Sequence, residues 1–228
     1  MAVKPQLACF ERLGAPGWAA LESTCAAARE AGLLVVADGK RGDVPVTAAA
    51  YAQALVGETP TPWGPVAGLG ADAFTANPLL GRDALEPLVA AAEQAGAGVF
   101  PLVRTSNPGA ADLQDLPAPR EPLHERLAAI VDELSGRLLG GSGLSGMGAV
   151  VGATEPQHFA RMRELMPRSI FLIPGVGAQG GRPEMLGAAF AAGRAAGLVA
   201  ASRGIAADPD PAAAAERLRA AVWEISTA

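Results

Sequence analysis

Four charged residues occur within six positions, directly after an apolar segment of the chain. Asp38, Lys40, Arg41 and Asp43 follow the run LLVVA in the stretch "LLVVADGKRGDVPV". Side chains at positions i and i+2 of a strand point the same way, so we expect Asp38 and Lys40 to share one face. Neighbouring carboxylates keep such a lysine protonated, so it can donate a proton and stabilise negative charge on a substrate carbon. The alternative is a structural ion pair, with Asp43 as a helix-start residue.

A second signal for chemistry is the glycine-rich segment "IPGVGAQGGRPE" (173–184). It follows an apolar run and is expected to open a helix, where backbone N–H groups can bind an anion. Arg203 follows the next apolar run, and its guanidinium can donate two parallel hydrogen bonds to phosphate oxygens. The segment "VRTSNPGA" (103–110) supplies neutral donors and acceptors suited to an uncharged polar ring such as a pyrimidine. These features predict a phosphorylated small-molecule substrate whose reacting centre lies near Lys40.

Seven short apolar runs alternate with longer amphipathic stretches, which predicts a parallel sheet with helices between its strands. The apolar runs are nearly continuous rather than alternating, as expected for strands buried on both faces. The predicted strands are Ala2–Lys4, Leu33–Ala37, Ala73–Thr75, Val99–Val103, Ala149–Val151, Phe171–Ile173 and Leu198–Ala201. The predicted helices are Trp18–Ala31, Val46–Val56, Ala84–Gly96, Leu123–Leu139, Pro156–Met166, Pro183–Ala195 and Pro211–Ile225. Two Pro/Gly-rich stretches, 57–65 and 107–122, are expected to be long loops, and the second could cover a ligand.

A closed (β/α)8 barrel and an open doubly wound sheet both fit this alternation. No GxGxxG motif follows the first strand, which argues against a dinucleotide-binding sheet. A barrel gathers its chemistry from the ends of several strands. Polar residues indeed follow many of the predicted strands: Lys4, Asp38, Lys40, Asn77, Thr105 to Asn107, Thr154, Gln179 and Arg203. We therefore expect one α/β domain over residues 1–228, a (β/α)8 TIM barrel with seven visible strands and its first βα unit missing.

Composition excludes several classes of function. A net charge of −5 argues against a nucleic-acid or membrane-surface binder, and no long apolar run predicts a transmembrane helix. With no secretory signal at the start, we expect a soluble cytoplasmic protein. Cys9 and Cys25 are expected to be buried or half-buried free thiols, in no metal-binding or redox spacing. His124 and His158 are expected on exposed helices, away from any zinc or triad chemistry.

The chain resembles the orotidine 5′-phosphate decarboxylase family, in its longer bacterial "type 2" branch. The resemblance covers nearly the whole chain through the segments "AVKPQ", "DGKRGDVPVTAAAYA", "ADAFTANPLLGRDALEP", "VRTSNPGAADLQD", "GAVVGAT", "PGVGAQGG" and "ASRGI". It implies a (β/α)8 barrel that acts as a homodimer. It also implies decarboxylation of orotidine 5′-phosphate to UMP, in de novo pyrimidine synthesis, without a metal or a cofactor.

The resemblance also implies a role for each matching residue. Lys40 would protonate C6 as CO₂ leaves, Asp38 would lie beside the substrate carboxylate, and Lys4 would complete the charge network. Asp43 and Thr47 would reach the ribose of the ligand in the partner subunit. The remaining ligand contacts would come from Ser106 at the pyrimidine edge and, at the phosphate, from Gln179, Arg203 and the backbone around Gly180.

Two further interpretations stay open on the sequence. One is a sister barrel, a sugar-phosphate decarboxylase or aldolase that shares the acid–lysine–acid layout but uses Mg²⁺. The other is a truncated, non-catalytic chain that binds nucleotide without turnover. It is motivated by the earlier strand that family members carry and that has no counterpart before "MAVKPQ".

Overall fold

Strands and helices alternate along the chain in the computed structural model, which describes residues 1–117 and 119–226. The chain divides into two compact units, Met1–Pro101 and the part that begins at Leu102. No helix within the described residues is both long enough and apolar enough to cross a membrane. The single domain expected over residues 1–228 stays a prediction.

The first unit is a parallel sheet with helices between its strands. Its strands pair in the order β1-β2-β5-β6, and β3 and β4 form a separate antiparallel hairpin. The element bounds are β1 Ala2–Val3, α1 Leu7–Glu11, α2 Ala15–Glu30, β2 Leu34–Arg41, α3 Pro45–Leu55, β3 Glu58–Thr59, β4 Val66–Ala67, β5 Ala73–Ala76, α4 Arg82–Ala95 and β6 Gly98–Arg104. The last of these strands runs across the boundary between the units.

The apolar runs become central strands because helices cover them. All four residues of β5 are buried, and Phe74 is fully so, together with Leu85 and Leu88 of α4. The α4 helix ends where Gly96 adopts a left-handed conformation, φ 65°, which glycine accepts without a Cβ clash. The parallel order brings the carboxyl ends of β1, β2 and β5 to one edge of the sheet. That edge carries the charged block.

The second unit continues the same alternation. Strand β7 pairs with β8, and β8 with β9, all in parallel. The element bounds are α5 Leu123–Ser135, β7 Ser145–Val151, α6 His158–Leu165, β8 Ser169–Pro174, β9 Gly197–Ala200, α7 Arg203–Ala206 and α8 Pro211–Ile225, with 3₁₀ turns at Pro108–Asp112, Gly136–Leu138, Pro183–Met185, Gly187–Phe190 and Arg194–Ala196. All seven predicted strands are present.

Two predictions of local structure were wrong. The expected helix Pro183–Ala195 is instead a series of short 3₁₀ turns. Gly187 interrupts the alanine-rich run, and Gly193 adopts φ 119°, which no helix accommodates. The loop expected over 57–65 contains strand β3 of the short hairpin. Neither difference touches the charged strand end.

Two predictions of burial were also wrong. His124 is 3% exposed rather than on an exposed helix face, because its Nδ1 lies 2.8 Å from the Gln114 carbonyl oxygen and its ring packs edge-on against His158. Burial and the neighbouring His124 lower the pKa of the half-buried His158. Cys9 is exposed, whereas Cys25 is buried as expected.

Arg163 is a buried charged residue that links several backbone segments of the second unit. It is 8% exposed, and its guanidinium lies 3.8 Å from the ring centre of Phe171. Burial lowers its pKa to about 10, so it keeps its charge near neutral pH. It donates hydrogen bonds to four backbone carbonyls, those of Met166, Ser169, Ala189 and Ala196. One side chain therefore ties α6 to the irregular segment that replaces the predicted helix.

Arg163→Met should lower the free energy of unfolding by about 2–4 kcal/mol, because several buried carbonyls lose their donor. The control is Arg161→Ala on the same helix, which removes a half-exposed side chain paired with Glu125 and should cost far less. Urea titration of both variants measures the difference. Equal losses at the two positions would contradict the role given to Arg163.

Candidate active site

The charged strand end of the first unit is built around one buried carboxylate. Asp38 is 5% exposed, and each of its oxygens accepts a hydrogen bond from a different lysine. Lys40 Nζ donates to Oδ1 at 2.6 Å, and Lys4 Nζ donates to Oδ2. The segment after β1 runs alongside β2, since the Asp38 N–H donates to the Pro5 carbonyl oxygen at 3.0 Å. The structure thus brings together Lys4, Asp38 and Lys40, as the sequence predicts.

Two opposing effects set the protonation of Asp38. Burial alone would raise its pKa, but the charges and hydrogen bonds of Lys4 and Lys40 outweigh burial and hold the pKa below its usual value. Asp38 is therefore ionised near neutral pH. Its charge in turn gives the half-exposed Lys40 ammonium a fixed partner.

The backbone at Lys40 is irregular. Lys40 has φ 51°, and among the described residues it is the one non-glycine residue in the left-handed region. The register of β2 against β5 shifts between Ala37 and Arg41, so a bulge holds Lys40. The predicted shared face with Asp38 is thus reached through a bulge rather than through regular strand alternation. Strain of this kind in a non-glycine residue is typical of functional sites.

Thr75 of β5 supports the bulge. Its hydroxyl accepts a hydrogen bond from the Lys40 N–H and donates one to Asp38 Oδ1, both at 2.9 Å. The residue is 1% exposed. Sequence reasoning gave Thr75 no role beyond ending a strand, because its position opposite the bulge depends on strand register.

Arg41 anchors the end of β2 on its other side. Its guanidinium pairs with Glu11 of α1 and lies 5.4 Å from the ring centre of Tyr51 in α3. Its carbonyl oxygen accepts a hydrogen bond from the Asn77 N–H at 2.7 Å. These contacts hold the end of β2 in position.

Asp43 and Thr47 lie beyond the strand end. Asp43 is half-buried and accepts a hydrogen bond from the Val44 N–H at 2.7 Å, just before α3 begins. Thr47 is exposed in the first turn of that helix. Within the described residues, neither side chain bonds to Lys4, Asp38 or Lys40. Their predicted contact with the ligand of a partner subunit stays a prediction.

A second polar cluster forms in the other unit around Ser106. Its hydroxyl donates to Gln179 Oε1 at 2.8 Å, and its carbonyl oxygen accepts from the Thr154 hydroxyl at 3.0 Å. A Cβ at Gly152 would lie 2.7 Å from the Ser106 backbone, so only glycine allows this approach. Ser106, Thr154 and Gln179 line a pocket of about 570 Å³. The pocket joins two residues that were predicted separately as ligand contacts.

The loop that carries Ser106 is held by side chains that sequence reasoning missed. Arg104 donates two hydrogen bonds to the Asp115 carboxylate, at 2.8 and 2.9 Å, and lowers the pKa of Asp115. Gln114 Oε1 accepts from the Thr105 N–H at 2.8 Å. The spacing of an arginine and an aspartate eleven residues apart is the one sequence signal for this clamp, and it is a weak one.

The glycine-rich loop after β8 forms a tight turn. Gly180 has φ 93°, and its N–H donates to the Gly177 carbonyl oxygen at 2.8 Å. Gln179 is exposed at the tip of this turn. Arg203 is exposed after β9, and within the described part of the chain no hydrogen bond or ion pair engages its side chain. Gln179 and Arg203 therefore keep polar groups that can bind an anion.

The described residues offer no ready metal site. Across residues 1–117 and 119–226, no group of three or more His, Cys, Asp and Glu side chains is arranged to hold a metal ion. The buried carboxylate of Asp38 is already occupied by two ammonium groups.

Comparison with known proteins shows which family the chain belongs to. The sequence profile described as "Orotidine 5′-phosphate decarboxylase / HUMPS family" matches residues 1–218. Two curated relatives named orotidine 5′-phosphate decarboxylase, from Rhodopirellula baltica and Deinococcus radiodurans, are 45% and 47% identical over 89% of this chain. The chain spans 66% and 70% of the length of these two relatives, and 60% of two others.

A solved structure supports the same grouping. The structure titled OMP decarboxylase from Leishmania donovani is 36% identical, with a TM-score of 0.81 over 100% of this chain and 82% of that chain. This likeness confirms the predicted α/β fold class, a (β/α) barrel fold, and seven of the strands in the described residues belong to its parallel sheet.

Asp38→Asn should destabilise the folded chain near pH 7 by about 1–3 kcal/mol, because two lysines lose their counter-charge. The lowered pKa means that the stabilisation from Asp38 is fully present above about pH 4, the unfolded value, and is lost as pH falls through the folded value. The stability gap between wild type and variant should therefore stay nearly constant from about pH 7 to about pH 5 and narrow as the pH falls further, from about 4 to about 2. Chemical denaturation across that range measures the gap.

The control is the same substitution at the exposed Asp112, which removes one negative charge from the surface. A gap that stayed constant into the acid range would contradict the account of Asp38.

Proposed function

This chain belongs to the orotidine 5′-phosphate decarboxylase / HUMPS family, and we propose that it converts orotidine 5′-phosphate to UMP, a step of de novo pyrimidine synthesis. The observation that carries the proposal is the Lys40 ammonium, bonded at 2.6 Å to a buried, ionised aspartate and held in a strained backbone conformation. An ammonium group fixed in this way suits a reaction that builds negative charge on carbon and then requires a proton there.

The proposed reaction replaces the carboxylate on C6 with one proton. The bond between C6 and the carboxylate carbon breaks, CO₂ leaves, and the electron pair stays on C6. Lys40 Nζ then donates its proton, which forms the C6–H bond of UMP and leaves a neutral amine. The Lys40 side chain is 43% exposed in this structure, so solvent can return the proton between turnovers. The proposal requires neither a metal nor a cofactor.

The use of lysine supports this role. The chain contains sixteen arginines and two lysines, and both lysines bond to Asp38. Arginine provides positive charge but does not give up its proton near neutral pH, whereas lysine can. Lysine thus occurs where proton transfer is proposed, and arginine serves elsewhere.

Asp38 and Lys4 would prepare the site for the substrate. Lys4 helps to keep Asp38 ionised, so a negative charge stands ready beside the position proposed for the substrate carboxylate. That charge repels the substrate carboxylate more than it repels the departing CO₂. The result would be ground-state destabilisation, which lowers the barrier to decarboxylation. Asp38 also fixes the direction of the Lys40 ammonium, which orients the proton.

The second polar cluster would bind the rest of the nucleotide. We propose that Ser106 contacts the pyrimidine edge, and that Gln179, Arg203 and the backbone around Gly180 bind the phosphate. The hydrogen bond between Ser106 and Gln179 supports one shared binding region for these groups. Contacts at a distant phosphate can accelerate the reaction by fixing the position of the reacting carbon.

The proposal extends to assembly and location. We propose a homodimer in which Asp43 and Thr47 of one subunit contact the ribose bound by the other. The exposed position of Thr47 in this chain is consistent with such a role. We further propose a cytoplasmic location, where the thiols of Cys9 and Cys25 stay reduced.

Lys40→Ala should lower kcat by at least about 10³-fold, because both the proton donor and its charge are lost. Lys40→Arg is the matched control for charge, and it should be nearly as inactive because arginine retains its proton. Both variants should bind a UMP analogue within about tenfold of wild type, as measured by calorimetry. Retained turnover in either variant would exclude Lys40 as the proton donor.

Arg203→Ala should raise KM for orotidine 5′-phosphate by about 10- to 100-fold, because a charge-assisted contact with the phosphate is lost. The effect on kcat should be smaller, as for contacts shared by bound substrate and transition state. Arg194→Ala is the control, since Arg194 stacks on Trp223 at 4.2 Å. Steady-state kinetics decide the matter, and an unchanged KM in Arg203→Ala would refute the phosphate assignment.

A further inference from the structure

We infer that Thr75 is a positioning residue, which sets the direction of the Lys40 ammonium through a hydroxyl bridge to Asp38. The inference rests on the proposed function, because it concerns how the proposed proton donor is held. Neither the charged motif nor the phosphate region includes this residue. It lies on a different strand from Lys40 and is separated from it by 35 positions.

The strand register singles out Thr75. Strand β2 pairs with β5 at Ala37↔Phe74 and again at Arg41↔Ala76. Three residues of β2 therefore stand opposite a single residue of β5, and that residue is Thr75. The bulge removes the regular ladder hydrogen bonds over this stretch, so its polar groups need other partners.

The Thr75 hydroxyl fills two of those needs at once. It has one proton, which it donates to Asp38 Oδ1, and its lone pair accepts the Lys40 N–H. Asp38 Oδ1 also accepts from Lys40 Nζ. The backbone N–H and the ammonium of Lys40 are thus both bonded within one cluster, made of the Thr75 hydroxyl and Asp38 Oδ1.

This bridge constrains Lys40 in a way that ordinary packing does not. A left-handed backbone is unfavourable for lysine and persists only where its surroundings require it. Without the hydroxyl, the Lys40 N–H loses its acceptor and the bulge can relax toward other conformations. The ammonium would then spend less time in the orientation that delivers a proton, while the groups proposed to bind phosphate would be unaffected.

A purely structural role is the competing account. Thr75 is almost fully buried, as are its sequence neighbours Phe74 and Ala76, so any substitution could disturb the core. The two accounts differ in what they predict. Loss of packing lowers stability, and it lowers the apparent kcat only as far as it lowers the fraction of folded protein. Loss of positioning lowers kcat in fully folded protein, and the rate returns when a hydroxyl is restored.

The test compares Thr75→Val, which keeps the shape but removes the hydroxyl, with Thr75→Ser, which restores the hydroxyl. The matched control is Ser145→Ala. Ser145 is also a fully buried strand residue, and its hydroxyl donates to the Ser135 carbonyl oxygen and accepts the Met147 N–H. We expect Thr75→Val to lower kcat by about 10- to 100-fold with KM within about threefold. Thr75→Ser should recover most of the rate, and Ser145→Ala should keep it.

A second measurement does not depend on turnover. Labelling with ¹⁵N-lysine gives two backbone amide signals, since the chain has two lysines, and Lys4→Arg assigns them. The Lys40 amide should exchange with solvent faster in Thr75→Val than in wild type or Thr75→Ser. If wild type itself does not turn over orotidine 5′-phosphate, the proposed function fails. The exchange rate of the Lys40 amide then still tests whether the Thr75 hydroxyl holds the Lys40 backbone.

Three results would overturn the inference. The first is a kcat in Thr75→Val within about threefold of wild type. The second is an equal loss of rate in Thr75→Ser or in Ser145→Ala, which would indicate packing. The third is a Lys40 amide whose exchange is the same with and without the hydroxyl.

Discussion

The site depends on the cost of holding one ionised carboxylate away from water. Asp38 is almost fully buried, and a buried charge is stable only when it is paired and hydrogen-bonded. Its partners come from three places: Lys4 after β1, Lys40 within β2 and Thr75 on β5. A parallel order in which these strands are neighbours, with their carboxyl ends at one edge, is what makes such a set of partners possible. The strand order of the first unit therefore places the groups that stabilise the charge of Asp38.

The division of labour between arginine and lysine follows from the same electrostatics. Arg163 ends in the core among carbonyl oxygens, Arg104 clamps a loop to Asp115, and Arg41 ties a strand end to Glu11. Arg163 and Arg104 use the planar guanidinium to satisfy several acceptors at fixed angles, and none of the three roles requires a change of protonation. The two lysines occur only at Asp38. Where a group must be both charged and able to lose its proton, the compact ammonium is the suitable choice.

Sequence patterns were sufficient for the strands and for the grouping of Lys4, Asp38 and Lys40. Both follow from short-range rules: apolar runs of strand length, and parallel strands whose ends share an edge. Thr75 could not be found this way, because its role depends on a register shift of β2 against β5 that arises only on pairing. The burial of His124 likewise depends on contacts with Gln114 and with another helix. The predicted helix after Pro183 is absent because Gly187 and Gly193 interrupt the alanine-rich run, and Gly193 adopts a backbone conformation outside the helical region.

The two clusters differ in how rigidly they are built, and this matters for how each can act. The proposed proton donor lies in a strand, with its backbone bonded to Thr75 and its ammonium to Asp38. The proposed phosphate contacts are held less firmly: Gln179 is exposed at a glycine turn, and Arg203 is exposed at the start of α7, where its side chain has no partner among the described residues. Proton transfer needs atoms fixed to within fractions of an ångström, so a strained but over-determined strand suits it. Phosphate binding tolerates side chains that settle onto an anion, because charge-assisted contacts with several oxygens supply enough free energy to order them.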